Sequence, residues 1–215
     1  MGKFTASLRD FWDVPDIETA KHERVLLPRQ PENWSDAYQE RLIHPLLAVL
    51  PEKPATILDY GCGVGRISRQ LLRAGYDVVG IDVSEHMLTF ARELCKPYDA
   101  RWLLSDGYRI PLPDRSVAAA VCFYVFQHMP HWEMVDSCLR EVWRCLTTSG
   151  VFVAQSIDLF ESTFADYDKA SFVGVRQQCN HFCAAAARVG FAVSEAQEIH
   201  CNDHIYYVAY LRKLE

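Results

Sequence analysis

Ile57-Leu58-Asp59-Tyr60-Gly61-Cys62-Gly63-Val64-Gly65-Arg66 is the stretch from which the rest of the chain can be read. Thr56–Asp59 is a short apolar run of the kind that forms a buried strand. Three glycines at alternate positions follow. RISRQLLRA (Arg66–Ala74) then carries the apolar spacing of a helix, closed by Gly75. Glycines at 61, 63 and 65 permit a tight strand-to-helix turn without side-chain bulk. A ligand can therefore approach the backbone near the positive end of the following helix.

Outward from this turn, strand and helix patterns alternate. Val78–Asp82 (VVGID) reads as a second strand, and Ser84 as the cap of a helix running through Cys95. Arg101–Leu104 and Val117–Phe123 are the third and fourth strands, Trp132–Leu146 is an amphipathic helix, and Val151–Ser156 is the fifth strand. Thr147-Thr148-Ser149-Gly150 reads as the turn between these last two. Asn180–Arg188 is a helix stopped by Gly190, followed by strands Phe191–Ala196 and Ile205–Arg212. Strands separated by helices pair in parallel through right-handed crossovers, whereas the short link Gln197–His204 fits an antiparallel hairpin. The expected fold is α/β: a Rossmann-like, doubly wound sheet of seven strands, mostly parallel with an antiparallel last strand, and helices on both faces. Residues 1–215 are read as one domain, with a helical cap or lid over 1–54, a core over 55–157 and an acceptor-side loop plus terminal hairpin over 158–215.

Bulk properties exclude several classes. The chain of 215 residues carries 22 Lys plus Arg against 28 Asp plus Glu, a formal charge of −6, and has no basic run. That lacks the electrostatic footprint of a nucleic-acid binder. No apolar stretch approaches the ~20 residues that span a bilayer, and the N-terminus lacks a signal-peptide core. Membrane attachment is therefore not expected, and a cytoplasmic setting is. Its eight cysteines are scattered and form no C-x-x-C pair, so reduced thiols acting as small apolar residues are expected. Cys179 and Cys183 share a helix face but lack the second ligand pair of a soft-metal site, and no metal is expected.

The chemistry follows from what ends each strand. Asp82 closes the second strand, where a carboxylate can accept hydrogen bonds from a ribose diol. Asp106, in Ser105-Asp106-Gly107, closes the third and can receive an exocyclic amine. An adenosine lying across the carboxyl ends of these strands satisfies the glycine turn, Asp82 and Asp106 together. A dinucleotide is the competing ligand. Its fingerprint G-x-G-x-x-G fails here, because the third glycine comes one residue early, at Gly65, with Arg66 in the expected place. The plainest alternative is that the glycines make only a turn and Asp82 only caps the next helix.

ILDYGCGVGRIS resembles motif I of the class I S-adenosylmethionine-dependent methyltransferases, and VVGIDVSEHML their second-strand motif. LLSDGYRIPLPDRSVAAAVCFYVFQHMP is similar to the third and fourth strands of the small-molecule members, and LREVWRCLTTSGVFVAQ to their fifth-strand unit. The likeness covers about residues 55–157. It implies that S-adenosylmethionine is the cofactor, leaving S-adenosylhomocysteine as product. It also implies that Asp59, Gly61, Cys62, Gly63 and Gly65 shape the methionine pocket and that Arg66 approaches the methionine carboxylate. Asp82 would hold the ribose, with Val83 and Met87 flanking the adenine. Asp106 would bond the adenine amine beside Gly107, and the Phe123 backbone would face the methionine amino group. Ala118 departs from the acidic residue many relatives carry early in the fourth strand, a change expected to affect local packing.

Methyl transfer is an in-line displacement, to which an enzyme contributes mainly positioning. A hydroxyl or protonated amine acceptor also needs a base. His128 is the first choice for that base and His131 the second, both in the segment that follows the fourth strand; His128 can equally be a packing residue at the strand end. Asp158, His181 and His204 are weaker candidates. The aromatic N-terminal segment, with Phe4, Phe11, Trp12, Trp34 and Tyr38, is expected to cover the cofactor, with Tyr38 and Arg41 on the cofactor side. The expected partner is a small-molecule acceptor of O- or N-methylation, with no nucleic acid and no membrane, and the chain a monomer or homodimer. A non-catalytic S-adenosylmethionine-binding module and an NAD-linked oxidoreductase are the alternatives.

Overall fold

The computed structural model describes residues 12–14, 16, 43–158, 178–201 and 204–214. Among the described residues, seven strands form one sheet in the order β3-β2-β1-β4-β5-β7-β6. They are β1 (Thr56–Tyr60), β2 (Asp77–Asp82), β3 (Arg101–Leu104), β4 (Val117–Cys122), β5 (Leu146–Asp158), β6 (Phe191–Cys201) and β7 (His204–Lys213). The helices among these residues are α1 (Arg66–Arg73), α2 (Glu85–Leu94), α3 (Trp132–Cys145) and α4 (Cys179–Val189), and residues 43–47 are also helical. Pairing is parallel between β1 and β2, β2 and β3, and β4 and β5, and antiparallel where β7 meets β5 and β6. This is the expected architecture, reversed last strand included.

The chain divides into two compact units, Met1–Gly107 and Tyr108–Glu215. In the first, β1 and β2 are buried almost throughout, as strands covered on both faces should be. Helix α1 has no side-chain cap at its first residue, since Gly65 stands there at φ 84°. Its far end closes where Gly75, at φ 88°, donates to Leu72 O and Tyr76 to Leu71 O, a left-handed stop that glycine alone adopts freely. Helix α2 begins as the sequence predicts, with the Ser84 hydroxyl accepting from the Met87 N–H at 3.1 Å.

In the second unit two boundaries differ from expectation. Strand β5 begins at Leu146, not at Val151, so Thr147–Gly150 is not a free turn. Leu146 pairs with Val117, and the ladder resumes at Ala119 and Val151 after a register shift. The turn-like composition marks this irregularity, with Ser149 at φ 62°. Strand β6 runs on to Cys201, past the expected end at Ala196, because a sheet-edge strand exposed over Val193–Glu198 needs no apolar alternation to persist. Arg144 knits the loop before β4 to α3, donating to Ile110 O, Leu112 O, Asp114 and Glu141. Cys62, Cys95, Cys122, Cys138, Cys145, Cys179 and Cys183 are free thiols. No helix among the described residues is long and apolar enough to cross a membrane.

Candidate functional site

The glycine turn is held from both sides. Gly61 and Cys62 both donate to Ile81 O at 2.9 Å, tying the turn to β2, and Gly65 donates to Cys62 O. Asp59, 2 % exposed, does not reach outward. It accepts the Ser68 hydroxyl at 2.5 Å and also the Ser68 backbone N–H, so it caps α1 from across the turn in place of the side chain Gly65 lacks. Burial pushes its carboxyl up to about 6, against the pull of the Ser68 hydrogen bonds, with the Asp82 carboxylate adding to the push.

Two glycines of the turn do different work. A Cβ on Gly65 would meet Ala91 Cβ at 3.1 Å and Cys95 Sγ at 3.2 Å, so this glycine lets α1 and α2 approach. A Cβ on Gly63, at φ 52°, would meet nothing within 4 Å. The open side of the turn is therefore at Gly63. There Asp82 Oδ2 accepts the Gly63 N–H at 2.8 Å, while Oδ1 accepts the Ser84 N–H at 3.0 Å. A carboxylate offers about four lone-pair sites, and the N–H groups of Gly63, Ser84 and Val83 occupy three, which leaves acceptor capacity for one further donor. Burial also pushes this carboxyl up to about 6, opposed by the N–H groups of Ser84, Gly63 and Val83 and assisted by Asp13. A half-buried carboxylate with acceptor capacity to spare, beside an open glycine backbone, suits a ribose hydroxyl of an adenosyl ligand, and the residues present fit such a group.

Beyond β3, Ser105 Oγ accepts the Gly107 N–H at 3.0 Å, and the Tyr60 hydroxyl donates to Gly107 O at 3.1 Å. These bonds set the Ser105–Gly107 loop with Asp106 exposed. Val83 and Arg66 are half-buried. Met87 is 1 % exposed and packs with Val64 and Val14. The Cys62 thiol is pushed well above its usual range by burial, then by the Asp82 and Asp59 carboxylates, and is inert as a nucleophile.

Part of the N-terminal segment lies against this site. Trp12 and Phe90 pack on the cluster of Val14, Val64 and Met87, and Ser84 Oγ bonds to Trp12 O at 3.2 Å and to the Asp13 carboxylate. Asp13 and Val14 were not visible as site residues in the sequence, nor were Ser68, Tyr60 and Ser105. Phe4, Phe11, Trp34, Tyr38, Arg41 and the loop 159–172 lie outside the described residues, as do the side chains of Asp158 and His204.

In the second unit, β4 ends at Cys122, one residue before its expected end, and buried Phe123 begins the departing loop. Tyr124 follows at φ 61°, then a 3-10 turn over Phe126–His128. His128 is half-buried at the end of that turn, its N–H donating to Val125 O at 2.9 Å. His131 precedes α3 and accepts the Met134 N–H through its own carbonyl at 3.0 Å, its ring making no cap. His181 stacks on Trp132, with ring centroids 4.0 Å apart. Gln155 Oε1 accepts the Tyr124 N–H at 2.8 Å.

Residues 58–154 match the family model of the methyltransferase domain. The demethylmenaquinone methyltransferase of Tropheryma whipplei is 34 % identical over 153 residues, covering 71 % of this chain and 59 % of its own length. The malonyl-[acyl-carrier protein] O-methyltransferase of Pectobacterium atrosepticum is 40 % identical over 108 residues, 49 % of this chain and 40 % of its own. The chain thus spans about three fifths of the length of the first curated relatives it matches. Among solved structures, an S-adenosylmethionine-dependent methyltransferase of Methanosarcina mazei shares the fold with a TM-score of 0.72 at 17 % identity, covering 79 % of this chain and 97 % of that one.

Proposed function

Because this chain belongs to the class I S-adenosylmethionine-dependent methyltransferases, we propose that it transfers a methyl group to an oxygen or nitrogen of a small molecule. The observation that carries this reading is the pairing of an open glycine backbone at Gly63 with the strand-end carboxylate of Asp82. The net charge of −6 without a basic run favours a small acceptor over a nucleic acid. The relatives are named for demethylmenaquinone and for a malonyl thioester carrier, the latter as an O-methyltransferase.

In this reading Asp82 receives the ribose hydroxyls, Asp106 the adenine amine with Gly107 alongside, and Val83 lies against the ring. Arg66 meets the methionine carboxylate and the Phe123 carbonyl the methionine ammonium. Met87 acts from beneath, through the packing of Val64 and Val14. Bound S-adenosylmethionine supplies an electrophilic methyl carbon on a sulfonium. The protein's own work is to align the acceptor, exclude water and remove a proton. His128 takes that proton from a hydroxyl or ammonium acceptor, with His131 as second choice.

His128→Ala tests the assignment, assayed as S-adenosylhomocysteine release over a panel of phenols, carboxylates and amines. Loss of a positioned base lowers turnover by about 10²-fold or more while S-adenosylhomocysteine affinity stays within about threefold. Unchanged turnover removes His128 from the chemistry. No release from wild type with any acceptor points to a binding module instead.

A further inference from the structure

We infer that Gln155 is a positioning residue for the amino-acid end of the cofactor: by holding the N–H of Tyr124 it sets the direction of the Phe123 carbonyl. The inference rests on the reading that this carbonyl receives the methionine ammonium. The two groups belong to one peptide unit. In a planar trans peptide the N–H and C=O point in opposite directions, so whatever anchors one aims the other.

The anchoring is specific. The last registered pair of β4 with β5 is Cys122 with Ala154, while β5 runs on to Asp158 in register with β7. As the chain leaves the ladder, the Tyr124 N–H finds its acceptor in a side chain, Gln155 Oε1, at 2.8 Å. That amide is itself oriented. Gln155 is 4 % exposed, and its Nε2 donates to Ser156 O at 3.3 Å, which leaves Oε1 facing Tyr124. The anchor is needed because Tyr124 stands at φ 61°, where a residue with a Cβ is strained. Without the bond the corner gains other conformations, and the carbonyl of buried Phe123 loses its fixed direction. A carbonyl accepting from an ammonium makes a charge-assisted bond that weakens steeply with misalignment.

The test compares two ligands that differ in the amino-acid end. S-adenosylhomocysteine carries it; 5′-methylthioadenosine keeps the nucleoside and thioether and lacks the ammonium and carboxylate. By calorimetry, wild type should prefer S-adenosylhomocysteine. Gln155→Met, similar in size but without the acceptor, should weaken S-adenosylhomocysteine about tenfold and leave 5′-methylthioadenosine within about twofold. Gln155→Glu keeps an acceptor and should retain the preference. Tyr124→Gly keeps both the N–H and the left-handed backbone, and should retain it too. The inference is overturned if Q155M keeps the preference, if both ligands weaken equally in it, or if Y124G loses the preference as Q155M does. Should Q155M not fold, Q155E and Y124G still decide. A wild type that does not distinguish the two ligands removes the Phe123 reading itself, an outcome separate from a wild type that distinguishes them and a Q155M that does so equally.

Discussion

At the carboxyl end of β1 the chain reverses through Gly61, Gly63 and Gly65, at φ 69°, 52° and 84°, whereas at the carboxyl end of β4 it turns through Tyr124 at φ 61°. Glycine adopts such angles without strain; for a residue with a Cβ they cost about 1–2 kcal/mol. The first corner is therefore written in the backbone itself and is stable wherever the chain leads next. At the second the N–H of the strained residue is held by Gln155, 31 residues away. A turn encoded in glycines can recur across acceptors of many kinds, while a corner encoded in one distant side chain can be altered by a single substitution.

The largest expected effect tests whether the glycine corner is as rigid as this contrast requires. Gly65→Ala would place a methyl 3.1 Å from Ala91 Cβ and 3.2 Å from Cys95 Sγ, in a left-handed conformation. Backbone strain and overpacking together should lower stability by about 3 kcal/mol, read from denaturant unfolding. A loss under about 1 kcal/mol would show that α1 and α2 yield easily, and the contrast would fail.

A smaller effect comes from Asp59, which holds the same corner from below. Its folded-state pKa, about 6, lies above the ordinary 3.8, so the folded protein binds the proton more tightly than the unfolded chain. Its contribution to stability is then greatest in acid and falls as pH rises from about 4 through about 6. Relative to Asp59→Asn, wild type should lose on the order of 2 kcal/mol between pH 4 and pH 7. A difference independent of pH would mean that the carboxyl titrates normally, the Ser68 hydrogen bonds offsetting burial in full.

Gly63→Ala is the smallest perturbation to the fold. Nothing lies within 4 Å of the added carbon, so only the backbone strain at φ 52° remains, about 1 kcal/mol. The methyl enters the open space where the ligand is placed, so S-adenosylhomocysteine affinity should fall far more than stability does. Equal losses would locate the ligand elsewhere.

These regions also differ in how far the sequence exposes them. From Thr56 to Leu104 each strand is a compact apolar run bounded by turn residues, and helix and strand positions follow from periodicity. The start of β5 was hidden because Thr147-Thr148-Ser149-Gly150 has turn composition yet stays in the sheet around a register shift. The length of β6 was hidden because its exposed residues carry no alternation. At the site, the glycines and Asp82 are legible because backbone freedom and a strand-end carboxylate leave local marks. The bonds of Asp59 to Ser68, Ser84 to Asp13 and Gln155 to Tyr124 join positions 9, 71 and 31 residues apart. No periodicity records such pairs, and a family motif names only the residues that touch the shared ligand.

Calorimetric titration of wild type and Asp82→Ala with S-adenosylmethionine, S-adenosylhomocysteine and NAD tests the central claim most directly. Both adenosyl ligands should bind wild type at pH 7.5 and NAD should not. Asp82→Ala should weaken the adenosyl ligands by about 30- to 100-fold, the equivalent of about 2–3 kcal/mol in bonds to a charged acceptor. Wild-type affinity should also fall as pH drops through about 6, where Asp82 takes up a proton and loses acceptor capacity. No adenosyl binding, or equal affinity in the mutant, would contradict the account.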